Sequence, residues 1–424
     1  MRPSGGSQRP RWKPTVLSWP RAAQGVLLAA GCALGLIGAE ALLWASGFPL
    51  GEHPQGLFQA DSDIGHRLSQ NFHGRVQLGH VQYHVSTNSA GMRGPALRPS
   101  DQVERRILGL GDSMTYGMGV EEPETYLRRL EHLLNDQRRS GSGVVEVLNG
   151  GVPAYGTLQE LQYLQRVGLG YAPDLVVLGF YPSTDLGENE NPPLRVVEGF
   201  LLTSVGSRLD NLKLWLRRHV RVYAFTVTTL KRHDGLRRWL ARVGIVARRD
   251  PGSNTLRVFL NPAPPEIARQ WQVADALLIE MQRLLAARGI PLLVMGIPHR
   301  VSVDPELMRR AAHGAGIAPQ QLDPKIPHRM LADLCRAHGI PYLDLLAAFE
   351  RARQEGVTLY FEFDEHLAPG GHDTVAATLA TFLATQPQLW THRTKRPSPP
   401  SRAGGAGKHP QVWPTGTPLE SPRT

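Results

Sequence analysis

The chain has 424 residues, two cysteines and a net charge of +10, so it exceeds one average domain and lacks the thiols for a disulfide framework. The charge excess sits at the ends: residues 1–21 carry five Arg/Lys and no acid, residues 392–424 carry six against one Glu, and the stretch between sums to zero. A nucleic-acid binder keeps a basic stripe on its folded body or carries a recognisable module; neither is present, so nucleic acid is excluded as a partner.

Residues 1–21 read as a basic cytoplasmic leader. Residues 22–48, interrupted only by Gln24 and Glu40, are long and apolar enough to cross a bilayer. The basic leader places the amino terminus in the cytoplasm and the body outside. A cleaved signal peptide with Ala39-Glu40-Ala41 as its small-x-small site is the rival reading. The long leader and the apolar continuation through Leu43, Trp44 and Phe48 favour an uncleaved anchor. Cys32 in this run and Cys335 in a helix-like stretch read as packed thiols. Residues 49–104 are a mixed juxtamembrane segment expected to pack along the body, with turns at Asn88-Ser89-Ala90-Gly91 and Arg93-Gly94-Pro95. Arg93 is a candidate pocket cation.

From 105 to 390 the chain alternates. Strands are expected at Ile107–Gly111, Val144–Leu148, Asp174–Phe180, Pro291–Ile297 and Ile340–Leu343, and helices at Thr125–Gln137, Leu158–Val167, Pro265–Arg288, His328–His338 and Gly371–Thr385. The strands read as continuous apolar runs, which suits strands covered on both faces. The expected fold is α/β: a three-layer, doubly wound parallel sheet with helices on both sides. Between 192 and 264 the alternation lapses into a helical insertion. Leu212, Trp215, Leu216, Val220 and Tyr223, then Leu236, Trp239, Leu240 and Val243, keep helical spacing among arginines. Residues 208–249 hold twelve Arg/Lys against two Asp. This is a helical cap or an interfacial element on anionic lipid. Residues 391–424, rich in Pro, Gly, Ser and Arg, read as a disordered tail.

The chemistry lies at the ends of the strands. The first strand runs into Gly111-Asp112-Ser113-Met114-Thr115, a tight glycine turn that presents a hydroxyl at the carboxyl edge, where open α/β sheets bind ligands. A nucleophilic serine needs a base and an orienting acid. Near the end of the domain stands Glu362-Phe363-Asp364-Glu365-His366. Residues two apart in an extended loop share a side, so Asp364 can orient His366, with Glu362 as second choice. The loops Asn149–Thr157 and Tyr181–Asn189 share the rim with Ser113 and can offer N–H groups to a developing oxyanion. His299, at a sheet edge after Met295-Gly296-Ile297-Pro298, reads as a loop histidine, with a pocket-lining residue as the alternative. Gly117-Met118-Gly119 lacks the lysine of a phosphate loop, and the cysteines lack zinc spacing, so neither cofactor nor metal is expected.

In that order the blocks resemble the SGNH/GDSL hydrolase superfamily, particularly its membrane-anchored members in bacterial envelopes, over roughly 105–191 and 266–385. The resemblance implies a Ser113–His366–Asp364 triad and an oxyanion hole from the N–H groups of Ser113 and Ala154 with Thr184. Two positions depart from the family pattern: Ala154 replaces a glycine, and Thr184-Asp185 replaces Asn-Asp. Ala154 keeps its N–H, a mild change unless the backbone there needs a positive φ. Thr184 keeps a hydroxyl donor, with Asn189 or a residue of the insertion as alternatives. The implied function is a serine esterase acting on O-acyl groups, acetyl for example, of an envelope glycan or lipid at the inner membrane. The rival functions are an O-acyltransferase of an exported polysaccharide and a non-catalytic glycan-binding scaffold.

Overall fold

The computed structural model describes residues 20–48, 54–78, 81–136, 143–189, 195–197, 200–202, 212, 215–216, 219–232, 256–362 and 364–390. The basic leader up to residue 19, the stretch Leu236–Val243 with most of the 192–264 insertion, Phe363 and the tail 391–424 lie outside the described residues.

Helix α1 (Arg21–Ala45) has no polar face, and one span within it, Ala22–Ala45, is long and apolar enough to cross a membrane. Cys32, expected to be packed, is exposed on this helix, because α1 buries none of that span within the protein. Two antiparallel hairpins follow: β1 (Phe58–Asp61) with β2 (Gly65–Leu68), and β3 (His73–Leu78) with β4 (Val81–Ser86). On the second hairpin Val76, Leu78, Tyr83 and Val85 turn inward and Gln82 and His84 outward, the period-two pattern of a strand with one wet face. Turn signals alone do not disclose these strands, since each is only four to six residues long.

The core sheet alternates strand and helix. In chain order it runs β5 (Val103–Gly111), α2 (Ser113–Tyr116), α3 (Tyr126–Asp136), β6 (Val144–Gly151), α4 (Thr157–Arg166), β7 (Leu175–Phe180) and α5 (Pro182–Glu188). The insertion contributes the hairpin β8 (Arg195–Val197) and β9 (Phe200–Leu202) and helix α6 (Arg221–Arg232). Then come α7 (Pro265–Ala286), β10 (Leu292–Gly296), α8 (Arg300–Val303), α9 (Pro305–Ala315), α10 (Ile326–Ala337), β11 (Tyr342–Asp344), α11 (Leu346–Gln354) and α12 (Pro369–Thr385).

The five core strands pair in parallel in the order β6-β5-β7-β10-β11. Strand order reverses between β5 and β7, and such a switch point opens a crevice at the carboxyl ends. Both faces of the sheet are covered. Along β7, Val176 and Leu178 pack with Leu161, Leu164, Trp271, Leu278 and Leu331 of α4, α7 and α10. Leu175 and Val177 point the other way, to Leu127, Leu130, Phe349, Val375 and Leu379 of α3, α11 and α12. Each fully buried aliphatic side chain here contributes about 1.5–3 kcal/mol, so a charge at Val177 would break the domain. The fold is therefore the doubly wound three-layer α/β sheet that the alternation predicts.

Candidate active site

Ser113 sits at the switch point, on the first turn after β5. Its turn admits no side chain at Gly111: φ is +154°, and a Cβ there would fall 2.0 Å from Thr115 Oγ1. Gly151, ending the neighbouring β6, is held as tightly, since its Cβ would lie 2.3 Å from the Tyr116 nitrogen. Asp112 caps α2 by accepting from the Met114 N–H at 2.8 Å. At the other end of α2, Arg93 is buried and donates to the carbonyls of Tyr116, Gly117 and Val120. Its guanidinium lies 4.9 Å and 5.3 Å from the ring centres of Tyr116 and Tyr83. Arg93 is thus no pocket cation. It locks the turn that carries Ser113.

The Ser113 hydroxyl and His366 Nε2 are 2.9 Å apart. On the far side of the imidazole, Nδ1 meets Asp364 Oδ1 in a short contact, and the same oxygen accepts the His366 backbone N–H at 2.9 Å. The carboxylate therefore reaches two residues forward in an Asx turn, rather than along an extended loop. Burial pulls the His366 pKa down, but the hydrogen bond and charge of Asp364 outweigh it and leave it raised. Burial pushes Asp364 up, and His366 more than reverses that, leaving it lowered.

The loop holding these two side chains is pinned from outside. A bridge joins Tyr360 to Leu367. Arg300 Nη1 donates to the carbonyls of Phe361, Glu362 and Asp364 at 3.3, 3.3 and 3.1 Å. His299 is 6% exposed and stacked on Tyr181. Its Nδ1 accepts from the Val301 N–H at 3.1 Å. With Nδ1 accepting, Nε2 carries the proton and donates to Glu365 at 3.1 Å. The side chain of Glu362 has no such role here; its carbonyl is what Arg300 holds.

The opposite flank is arranged differently. Ala154 is half-buried and left-handed, with φ +63°, so the backbone does take the conformation in which glycine is free and alanine is strained. The Thr184 hydroxyl is 3.1 Å from Asp112 Oδ2 and donates to it. Asn189 caps α4, its Oδ1 accepting from the Leu158 N–H at 3.0 Å. Behind this flank, four carboxyls lie together. Burial raises Asp112 to about 6 and Glu188 to about 8 and lifts Glu160 and Asp185 well above the ordinary carboxylate range, and the Asp112 charge adds to the rise in the other three. Among the described residues no group of three or more His, Cys, Asp or Glu side chains is arranged to hold a metal ion.

Residues 261–405 match the family described as "SGNH hydrolase-like domain, acetyltransferase AlgX". This stretch is thus similar to an SGNH hydrolase-like domain. The matched stretch contains β10, the His299-Arg300 turn, the Asp364–His366 loop and α12, while Ser113 precedes it. No curated protein matches the sequence. Among solved structures it is similar to a lipase/acylhydrolase from Enterococcus faecalis, with 13% identity over 66% of this chain and 96% of that one and a TM-score of 0.36. It is also similar to a catalytic mutant of Axe2, an acetylxylan esterase from Geobacillus stearothermophilus, with 11% identity over 66% and 94% and a TM-score of 0.34.

Within the α/β domain the structure brings Ser113, His366 and Asp364 into one hydrogen-bonded line and sets Thr184 beside Asp112 instead of leaving its hydroxyl free. Arg300 and the His299–Glu365 pair were not legible as site residues from the sequence. The one available signal was the position of His299 and Arg300 directly after Met295-Gly296-Ile297-Pro298, at a strand's carboxyl end.

Proposed function

We propose that this protein is an acyl-transferring serine enzyme that moves O-acyl groups, acetyl in the first instance, on a glycan or lipid of the cell envelope. In this reading His366 Nε2 takes the Ser113 proton as Oγ attacks the ester carbonyl, and Asp364 holds the tautomer and stabilises the imidazolium. His366 then protonates the departing alkoxide. The acyl-enzyme is resolved when His366 deprotonates an incoming hydroxyl, which attacks the acyl carbon and releases Ser113. N–H groups of Ser113 and Ala154 carry the oxyanion. The observation behind this reading is the 2.9 Å approach of His366 Nε2 to Ser113 Oγ, with Asp364 on the other ring nitrogen.

The acetyltransferase description of the matched family favours an acceptor other than water. Hydrolysis is the second reading, supported by the solvent-facing edge of His366, whose side chain is 16% exposed. In the same proposal α1 spans the inner membrane with the amino terminus in the cytoplasm and the body in the periplasm or outside, following the charge bias. A fluorophosphonate probe tests the chemistry: stoichiometric labelling is expected, lost in Ser113→Ala. Unlabelled wild-type protein would leave a scaffold or glycan-binding role instead. Turnover of an activated acetyl ester, with and without a soluble oligosaccharide, separates the two acceptors. Acetylated oligosaccharide with little free acetate indicates transfer, and free acetate alone indicates an esterase.

A further inference from the structure

The amino-terminal helix and the insertion are joined by a polar contact in an apolar place. Glu40 lies five residues before the end of α1 at Ala45, about 8 Å along the axis at 1.5 Å per residue. A carboxylate at that depth of a membrane-spanning helix is costly unless paired. Here it is paired with a helix end. The Arg221 N–H donates to one carboxylate oxygen and the Val222 N–H to the other, each at 2.9 Å, and the Arg221 guanidinium lies 3.8 Å away. The first turn of α6 has orphan N–H groups of its own that a bilayer cannot satisfy. Each group thus removes the other's penalty, with the negative charge at the positive end of the α6 dipole. Phe225 of α6 also packs edge-on against Phe48, centroids 5.5 Å apart.

Part of this element faces outward. Leu212 and Trp215 are 53% exposed, and Phe225, in contact with Phe48 just beyond α1, is 44% exposed. Leu36, Ile37, Leu42 and Trp44 of α1 are exposed as well. Large apolar side chains left exposed on two joined elements mark an interaction site, and tryptophan favours the membrane–water boundary.

We propose that α6, with Leu212 and Trp215 before it, forms a second membrane element, hooked to the retained anchor through Glu40 and lying in the leaflet on the side of the catalytic body. Its occupant is lipid, because Glu40 and Phe48 join its exposed apolar side chains to a helix long and apolar enough to cross a membrane. The hook also argues against cleavage at Ala39-Glu40-Ala41, which would strip α6 of its cap. The proposal rests on the anchor half of the reading above and not on the Ser113 chemistry.

The test uses the full chain in vesicles of phosphatidylethanolamine and phosphatidylglycerol. Phe225→Cys, in a Cys32→Ser background with Cys335 left buried, carries an environment-sensitive fluorophore, and Trp215→Cys is a second probe site in case one variant misfolds. Severalfold stronger quenching by acyl-chain-brominated lipid is expected at both positions than at Val357→Cys on the catalytic domain. Glu40→Ala should remove most of that difference, and Glu40→Gln, which keeps one acceptor, should retain part of it. Equal quenching at all three positions overturns the proposal. So does energy transfer between copies without lipid quenching, which assigns the face to a second copy. A mature chain beginning after Glu40 overturns it as well. Fluorophosphonate labelling of the same samples reads the chemistry separately.

Discussion

The two flanks of Ser113 are built differently. On one side the base is held by its acid, its loop by three Arg300 contacts, and the adjacent Glu365 by a buried His299 of fixed tautomer. On the other, a strained alanine stands at the second rim loop and the Thr184 hydroxyl is turned back onto Asp112. In the proposed mechanism, proton handling is therefore rigidly organised and charge stabilisation falls to backbone N–H groups. A site of this kind keeps a reactive serine while losing one source of transition-state stabilisation, worth roughly 3 kcal/mol where such donors have been removed.

The first way to break the comparison is to disable the well-built flank. Asp364→Asn should lower kcat by roughly 10²- to 10⁴-fold, since it removes the group that fixes the imidazole tautomer. Glu362→Gln should do little. The pH profile supplies a sharper readout. Rate follows neutral His366, so its acid limb lies above the ordinary histidine value while Asp364 raises that pKa. With the carboxylate gone, burial is opposed only by the charges of Asp112 and Glu365, and the limb should move to lower pH. An unmoved limb would mean that another group supplies the base.

The second way is to repair the weaker flank. Thr184→Asn offers a side-chain amide where a hydroxyl now serves Asp112, and it should raise kcat on an activated ester by roughly tenfold or more, within the range such donors command. An unchanged rate would show the oxyanion site to be complete already. A smaller effect is expected from Arg300→Ala, which frees the loop carbonyls without touching a reacting atom. Roughly tenfold loss in kcat is reasonable for a misplaced base, with KM preserved and partial rescue by Arg300→Lys; KM and kcat falling together with stability would indicate a merely structural role.

Much of the frame was legible in the residues. Unbroken apolar strands such as Leu175–Phe180 declare burial on both faces, and Gly111-Asp112-Ser113 declares a turn that nothing larger fits. Ser113 and His366 were legible as a pair from the serine turn after a strand and the Asp364-Glu365-His366 spacing before the last helix, although 253 residues separate them. What escaped were features set by tertiary contact. Whether Thr184 points into the site or back to Asp112 depends on a carboxylate 72 residues away. The β3–β4 hairpin is too short and too wet to stand out. Arg93 looks like any loop arginine until the rings of Tyr83 and Tyr116 close around it. The hook at Glu40 is invisible because the helix end it caps lies 181 residues further on.

Ala154 gives the finest test of the contrast. At φ +63° an alanine pays about 1–2 kcal/mol that a glycine does not. Glycine in turn loses about 0.4–1 kcal/mol more on folding, through the wider freedom of its unfolded chain. The first quantity is the larger, so Ala154→Gly should stabilise the protein by about 0.5–1 kcal/mol, read as a raised denaturation midpoint. Because the N–H and the backbone path are kept, turnover should stay the same while stability rises. Ala154→Val should move stability the other way, since a β-branched residue tolerates the left-handed region least. A glycine variant that loses stability would show that the alanine methyl is packed to advantage, and that this flank carries less strain than its backbone angle implies.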